Sequence, residues 1–202
     1  MIKNIVFDIG NVLAAFRWKD YIREELGYEG EIAERLAKAT TLSPYWCELD
    51  RGVWDINTII TRMIELDPEI EPEIRHFFED RRELVREYDY SENWIKELKG
   101  RGYRVYLLSN FTEDHFKYIY ANFRCFGSED GKVISYEEKL LKPEPAIYEI
   151  LIKRYGLVPD ETVFLDDTPC NIEGAAKAGM HGIIFNDYAQ GRAELEKLLE
   201  EK

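Results

Sequence analysis

The stretch Ile5-Val6-Phe7-Asp8-Ile9-Gly10-Asn11-Val12 constrains this chain more than any other. Ile5, Val6 and Phe7 form a short apolar run of the kind buried on both faces of a parallel sheet. Asp8 interrupts the run, and Gly10-Asn11 signals a turn. A carboxylate that closes a central strand stands where open α/β sheets bind ligands. The alternative for this stretch alone is a turn that Asp8 caps together with Asn11.

The same pattern returns far along the chain. Tyr103-Arg104-Val105-Tyr106-Leu107-Leu108-Ser109-Asn110 reads as a second buried strand with a polar end. Thr162-Val163-Phe164-Leu165-Asp166-Asp167 reads as another, ending in acid. Lys132 to Tyr136 and Gly182 to Phe185 read as shorter strands. Helical spacing fills the gaps. Ser91 is placed to cap a helix carrying Trp94, Ile95 and Leu98; residues 112 to 122 form the next. Lys142-Pro143-Glu144-Pro145 opens a third with Ile147, Ile150 and Leu151, stopped by Gly156. Asn171 to Ala178 and Arg192 to Glu200 complete the set. Strands alternating with helices predict an α/β fold built on a mostly parallel sheet.

One segment departs from that alternation. Val12 to Phe16 reads as a short extended flap, and residues 16 to 88 read as an all-helical insertion. Gly27 stops one helix there, and Ile32, Leu36 and Ala39 mark another. Asp55 is placed to cap a helix bearing Ile56, Ile59, Ile60, Met63 and Ile64. Ile74, Phe77, Phe78 and Leu84-Val85 mark a last one.

Composition narrows the partners. The net charge of −13 repels a phosphate-rich polymer, so no nucleic-acid partner is expected. No apolar run is long enough to span a bilayer, and the amino terminus is not a secretory signal, so a cytoplasmic protein without a membrane partner is expected. The three cysteines, Cys47, Cys125 and Cys170, are far apart and form no CxxC, which predicts reduced thiols and no zinc site. His76, His115 and His181 show no metal-ligand spacing and are read as structural.

Strands in one parallel sheet share a direction, so Asp8, Ser109-Asn110 and Asp166-Asp167 are predicted to meet on one edge. Lys142, after the short third strand, is placed to join them. Crowded carboxylates repel unless a cation joins them, and hard oxygen donors suit Mg²⁺. An ionised aspartate beside such an ion points to phosphoryl transfer through an aspartyl phosphate. Ser109 and the Asn110 backbone N–H would hold phosphoryl oxygens, and Lys142 would offset their charge. Each group also has a plainer reading. Asp166-Asp167 suits a helix cap, Lys142 a solvated loop, and Ser109 a strand end. Lys139 is the alternative to Lys142. Asn171 is read as a helix cap, with holding the acid loop as its alternative, and Thr168 has the same ambiguity.

In this order and combination the motifs resemble the haloacid dehalogenase-like superfamily, in its phosphatase-rich branch with a helical cap. They are Asp8 in FDIGNV, Ser109 in LLSN, Lys142 in KPEPAIY, and Asp166-Asp167 in FLDDTPCNIEGA. The resemblance implies a Rossmann-like core over 1–15 and 89–202, helices on both faces, and a cap over 16–88. It implies Asp8 as nucleophile, with Asp8, the Gly10 carbonyl and Asp167 on Mg²⁺ and Asp166 as ligand or outer support. The implied function is hydrolysis of a small phosphate monoester, such as a sugar phosphate. The FDxGNV form resembles a bacterial subgroup that includes α-glucose-1-phosphatase. Phosphatases of the family usually carry an acid two residues after the nucleophile. Here that position is Gly10, which has no side chain; an anomeric leaving oxygen lessens the need for an acid, and activation of water in the second step is left to a substrate group or a cap residue. In the aromatic stretch Tyr45 to Trp54, Trp46, Glu48 and Arg51 are the expected pocket contacts, and Trp18 is a weaker candidate. Two other functions share the scaffold: a metal-independent haloacid dehalogenase, and a non-catalytic binding or regulatory protein. A response-regulator receiver would need its acidic pair before the phosphorylated aspartate, which is the wrong order here.

Overall fold

The computed structural model describes residues 1–200. In chain order, β1 (Asn4–Phe7) and β2 (Ala14–Phe16) come first. Five α-helices follow, with a π-helical stretch over Tyr21–Glu25 after the first: α1 (Trp18–Asp20), α2 (Gly30–Ala39), α3 (Pro44–Arg51), α4 (Ile56–Leu66) and α5 (Glu71–Phe77). Then come β3 (Val85–Glu87), α6 (Ser91–Gly100), β4 (Arg104–Ser109), α7 (Glu113–Asn122), β5 (Gly131–Ile134) and α8 (Ser135–Glu138). The chain closes with α9 (Pro145–Tyr155), β6 (Thr162–Asp166), α10 (Pro169–Lys177), β7 (His181–Ile184) and α11 (Tyr188–Glu200).

Five strands form one sheet in the order β5-β4-β1-β6-β7, every pair parallel. The period of two sorts their side chains onto two faces. Ile5, Phe7, Val105, Leu107, Val163 and Leu165 pack on one face with Trp94, Ile95 and Leu98 of α6 and Leu195 of α11. Val6, Tyr106, Leu108 and Phe164 pack on the other with Ile147, Tyr148 and Leu151 of α9 and Ala175 of α10. The sheet is thus covered on both sides, which is why its central strands are nearly all apolar. The winding reverses beside β1: β4 and β5 lie to one side, β6 and β7 to the other. Such a reversal opens a crevice at the carboxyl ends of the strands.

A second core gathers Tyr21, Leu36, Ile59, Met63, Ile74 and Phe77 from the helices between β2 and β3. Asp55 caps α4 as expected, accepting from the Asn57 and Thr58 amides. The segment is not wholly helical, however. Val85–Glu87 pairs antiparallel with Ala14–Phe16, joining the two ends of the excursion in a ribbon. Strands of three residues are too short to display an alternation, so the sequence hid them. Two other local readings change. Ser91 does not cap α6; it lies inside the helix, and its hydroxyl donates to the Leu13 carbonyl at 2.7 Å. The strand expected to reach Tyr136 stops at Ile134, and the chain turns helical at Ser135. All three cysteines are unpaired. Among the described residues, no helix is long and apolar enough to cross a membrane.

Candidate active site

β1 lies between β4 and β6, so the residues at their carboxyl ends converge. Asp8 follows β1 directly and is almost buried. Its Oδ1 accepts hydrogen bonds from the Ile9 amide at 2.7 Å and the Ser109 hydroxyl at 2.6 Å and is ion-paired with Lys142 Nζ at 2.8 Å. Among the described residues no donor reaches its Oδ2. One oxygen is therefore held, and the other is open toward the crevice. Burial pushes the Asp8 carboxyl up to about 7, although Lys142 draws it down; Asp166 adds to the rise.

Lys142 is buried between two acids, Asp8 and Asp166, with Nζ 2.6 Å from Asp166 Oδ2. Burial opposes its charge, but the paired carboxylates outweigh that and hold its pKa above the ordinary value. Asn110 fixes the backbone there with both side-chain atoms. Its Oδ1 accepts from the Lys142 amide, and its Nδ2 donates to the Lys142 carbonyl. Lys139, the alternative lysine, points elsewhere and donates to the Gly52 carbonyl at 2.6 Å.

Asp166 and Asp167 are adjacent but differently used. Asp166 is wholly buried, and both its oxygens already have protein donors: Lys142, the Thr168 amide and the Asn171 side chain. Asn171 thus holds the acid loop and does not cap a helix; the cap position of α10 belongs to Thr168. Asp167 is half-buried and faces the crevice, steadied by Asn11 Nδ2 at 2.8 Å. Asn11 has a left-handed backbone (φ 55°), which asparagine tolerates better than most residues. Its Oδ1 accepts from the Phe16 amide, so one side chain links Asp167 to the ribbon.

Asp8, Asp166 and Asp167 each place one carboxylate oxygen within 4.8 Å of the others. The Gly10 carbonyl accepts no hydrogen bond among the described residues and lines the same crevice. An all-oxygen donor set with an orphan carbonyl fits a hard divalent cation such as Mg²⁺. The hydrogen bonds favour Asp8, Gly10 and Asp167 as its direct contacts, with Asp166 orienting Lys142 behind them. Asn171→Ala should lower turnover about 10- to 100-fold, the usual cost of losing an outer support. Steady-state rates and the Mg²⁺ dependence, measured beside the melting temperature, check this.

A cavity of about 200 Å³ opens over Asp8, floored by Gly10, Asn110 and Asp167. Trp46 and Asp50 roof it from α3, one helical turn apart. Trp46 is held by Phe16 and Phe77, with ring centroids 5.8 and 6.1 Å away. Glu48 and Arg51 lie on another face of α3 and do not line the cavity. Arg51 pairs with Glu48 and with Glu144, the latter at 2.8 Å. Trp18 is also absent from the lining. Asp50 escaped the sequence reading; the signal that could have found it is its i,i+4 relation to Trp46. His115 also lines the cavity. Its Nε2 has no partner, and burial holds it neutral with a pKa near 4.

Residues 2–179 match the family model of haloacid dehalogenase-like hydrolases. The chain belongs to this family. Among haloacid dehalogenase-like hydrolases it is similar to the D-ribitol-5-phosphate phosphatase of Bacteroides thetaiotaomicron, 29% identical over 98% of this chain and 99% of that one. It is also similar to the sesquiterpene phosphatase astK of Aspergillus oryzae, 25% identical over 98% of this chain and 96% of that one. In fold it resembles a HAD family enzyme of B. thetaiotaomicron solved with magnesium and inorganic phosphate. That likeness has a TM-score of 0.70 and 24% identity, covering 94% of this chain and 98% of the other.

Proposed function

We propose that this chain is a Mg²⁺-dependent phosphatase of small phosphate monoesters, sugar phosphates in particular. The observation that carries the reading is the asymmetry of Asp8: Oδ1 has three partners, while Oδ2 faces the cavity beside Asp167 and the Gly10 carbonyl. Asp8 Oδ2 attacks phosphorus and forms an aspartyl phosphate, which water then cleaves. Ser109 and Lys142 keep the attacking carboxylate aligned, and Ser109 with the Asn110 N–H receives phosphoryl oxygens. When bound, Mg²⁺ would neutralise phosphoryl charge and favour ionised Asp8; Asp8, Gly10 and Asp167 would hold it. Residues 16–88 act as a cap that closes over substrate, and residues 1–15 and 89–200 form the catalytic core, the last two residues of the expected range lying outside the described ones.

The cavity supports a small substrate. At about 200 Å³ it is below the 300–1,000 Å³ usual for ligand pockets, and its floor is polar. A polyol phosphate, the substrate class of the ribitol-phosphate relative, suits that space better than a terpene chain. The subgroup resemblance to α-glucose-1-phosphatase points the same way.

A phosphate-release screen over sugar phosphates, nucleotides and phospho-acids with Mg²⁺ tests the reading. Turnover should be greatest on sugar phosphates. EDTA should abolish it, and added Mg²⁺ should restore it. A dehalogenase, whose aspartate forms a carbon ester without metal, would keep its rate in chelator and release halide.

A further inference from the structure

Proton transfer is the step that the groups described so far leave without an agent. Gly10 occupies the position of the family's usual acid and has no side chain. A Cβ built on it would meet nothing within 4 Å, so the space beside the reacting centre is open. Among the described residues, three carboxylates line the cavity: Asp8, Asp167 and Asp50. Asp8 and Asp167 already have roles. We propose that Asp50, reaching down from the cap, is the general acid and base of this enzyme. The inference rests on the phosphatase reading above.

Position and chemistry both favour it. Three contacts pin the end of α3 to the core around this residue. The Ser135 hydroxyl donates to the Asp50 carbonyl at 2.6 Å, Arg51 pairs with Glu144, and Lys139 donates to the Gly52 carbonyl. Gly52 adopts a left-handed backbone (φ 66°), and a Cβ there would lie 3.0 Å from Tyr136 Cβ, so only glycine lets the helix end this close. The anchoring uses the Asp50 carbonyl and leaves its carboxyl unpaired, since no donor among the described residues reaches it. Burial pushes that carboxyl up to about 8, with Arg81 and Lys142 drawing it down and Asp8 raising it further. Glu48 and Arg51 on the same helix are tied into ion pairs, and His115 is neutral. Of the three carboxylates that line the cavity, Asp50 is thus the one left free to pass a proton.

The steps balance. As the Asp8 Oδ2–phosphorus bond forms and the ester P–O bond breaks, the Asp50 proton passes to the departing oxygen. Alcohol leaves, and Asp50 becomes a carboxylate. Water then attacks phosphorus, gives one proton to Asp50 and keeps the other on the phosphate, while the P–O bond to Asp8 breaks. Asp8 and protonated Asp50 are regenerated.

The test compares leaving groups in the Mg²⁺-loaded enzyme. An alkyl leaving group needs a proton; p-nitrophenolate scarcely does. Asp50→Asn should lower kcat/KM for sugar phosphate by about 10²–10⁴-fold, but for p-nitrophenyl phosphate by less than about tenfold. A burst of nitrophenolate equal to the enzyme should appear, because water attack then lacks its base. Adding Gly10→Asp to Asp50→Asn should restore sugar-phosphate turnover, since the space for that side chain exists. An equal fall on both substrates, or no fall on either, would overturn the assignment of Asp50 while leaving the phosphatase reading in place. A wild-type protein inert toward both substrates would overturn the two together.

Discussion

Asp8→Asn should abolish phosphate release, by a factor on the order of 10⁴ or more, while the protein stays folded. Asparagine keeps the shape of the side chain and an oxygen for Ser109 and Lys142, but its open position is no nucleophile. Rapid quench should find no acid-stable, base-labile phosphoenzyme. Stability should not suffer in chelator. The Asp8 carboxyl lies near 7 in the folded chain, against an ordinary value of 3.8. A raised carboxyl is stabilising in its protonated form, so ionisation erodes stability as pH climbs through that interval. Asparagine removes the erosion, so in EDTA the variant's melting temperature should exceed the parent's more at pH 8 than at pH 4. Retained turnover in Asp8→Asn would end the nucleophile assignment.

Lys142→Ala should damage folding and chemistry together. The lysine side chain is 1% exposed and Asp166 is fully buried, so its removal strands carboxylates away from water. Breaking such a pair costs about 3–5 kcal/mol, because the remaining charge is uncompensated. Loss of a positive group at the reacting oxygens should lower kcat by a further ~10²–10³. Chemical denaturation and phosphate release measure the two effects. The double variant Lys142→Ala/Asp166→Asn should recover part of the stability but none of the turnover, which separates structural from chemical loss. Lys142→Arg should fail as well. Its planar fork cannot occupy the point between Asp8 and Asp166 that a single ammonium fills, over the Phe164 ring.

Much of this architecture was legible before any coordinates. Apolar runs that stop in Asp8, Ser109 and Asp166 announced both a parallel sheet and the edge where the groups meet. Lys142 followed from its place after the third strand. What stayed hidden depends on tertiary direction. The ribbon Ala14–Phe16 with Val85–Glu87 is made by partners some seventy residues apart, each too short to show a period. On α3, composition drew attention to Glu48 and Arg51, but helical phase pairs those two with each other and Arg51 with Glu144, and turns Trp46 and Asp50 inward. Asn171 read as a capping residue because its type suits that position; only the fold shows that it faces Asp166. Side-chain type announced chemistry well at strand ends, where direction is shared, and poorly on helices, where a rotation of one residue changes the face.

Asn11 touches both halves of the molecule at once, gripping Asp167 with its nitrogen and the Phe16 amide with its oxygen. If Asp167 holds the cation and the segment beyond the ribbon closes as proposed, ion and lid would pull on the same amide group. By thermodynamic reciprocity, whatever factor lid closure adds to cation affinity, the cation must return to lid closure. On the proposed reading, loading and gating would be two ends of one lever.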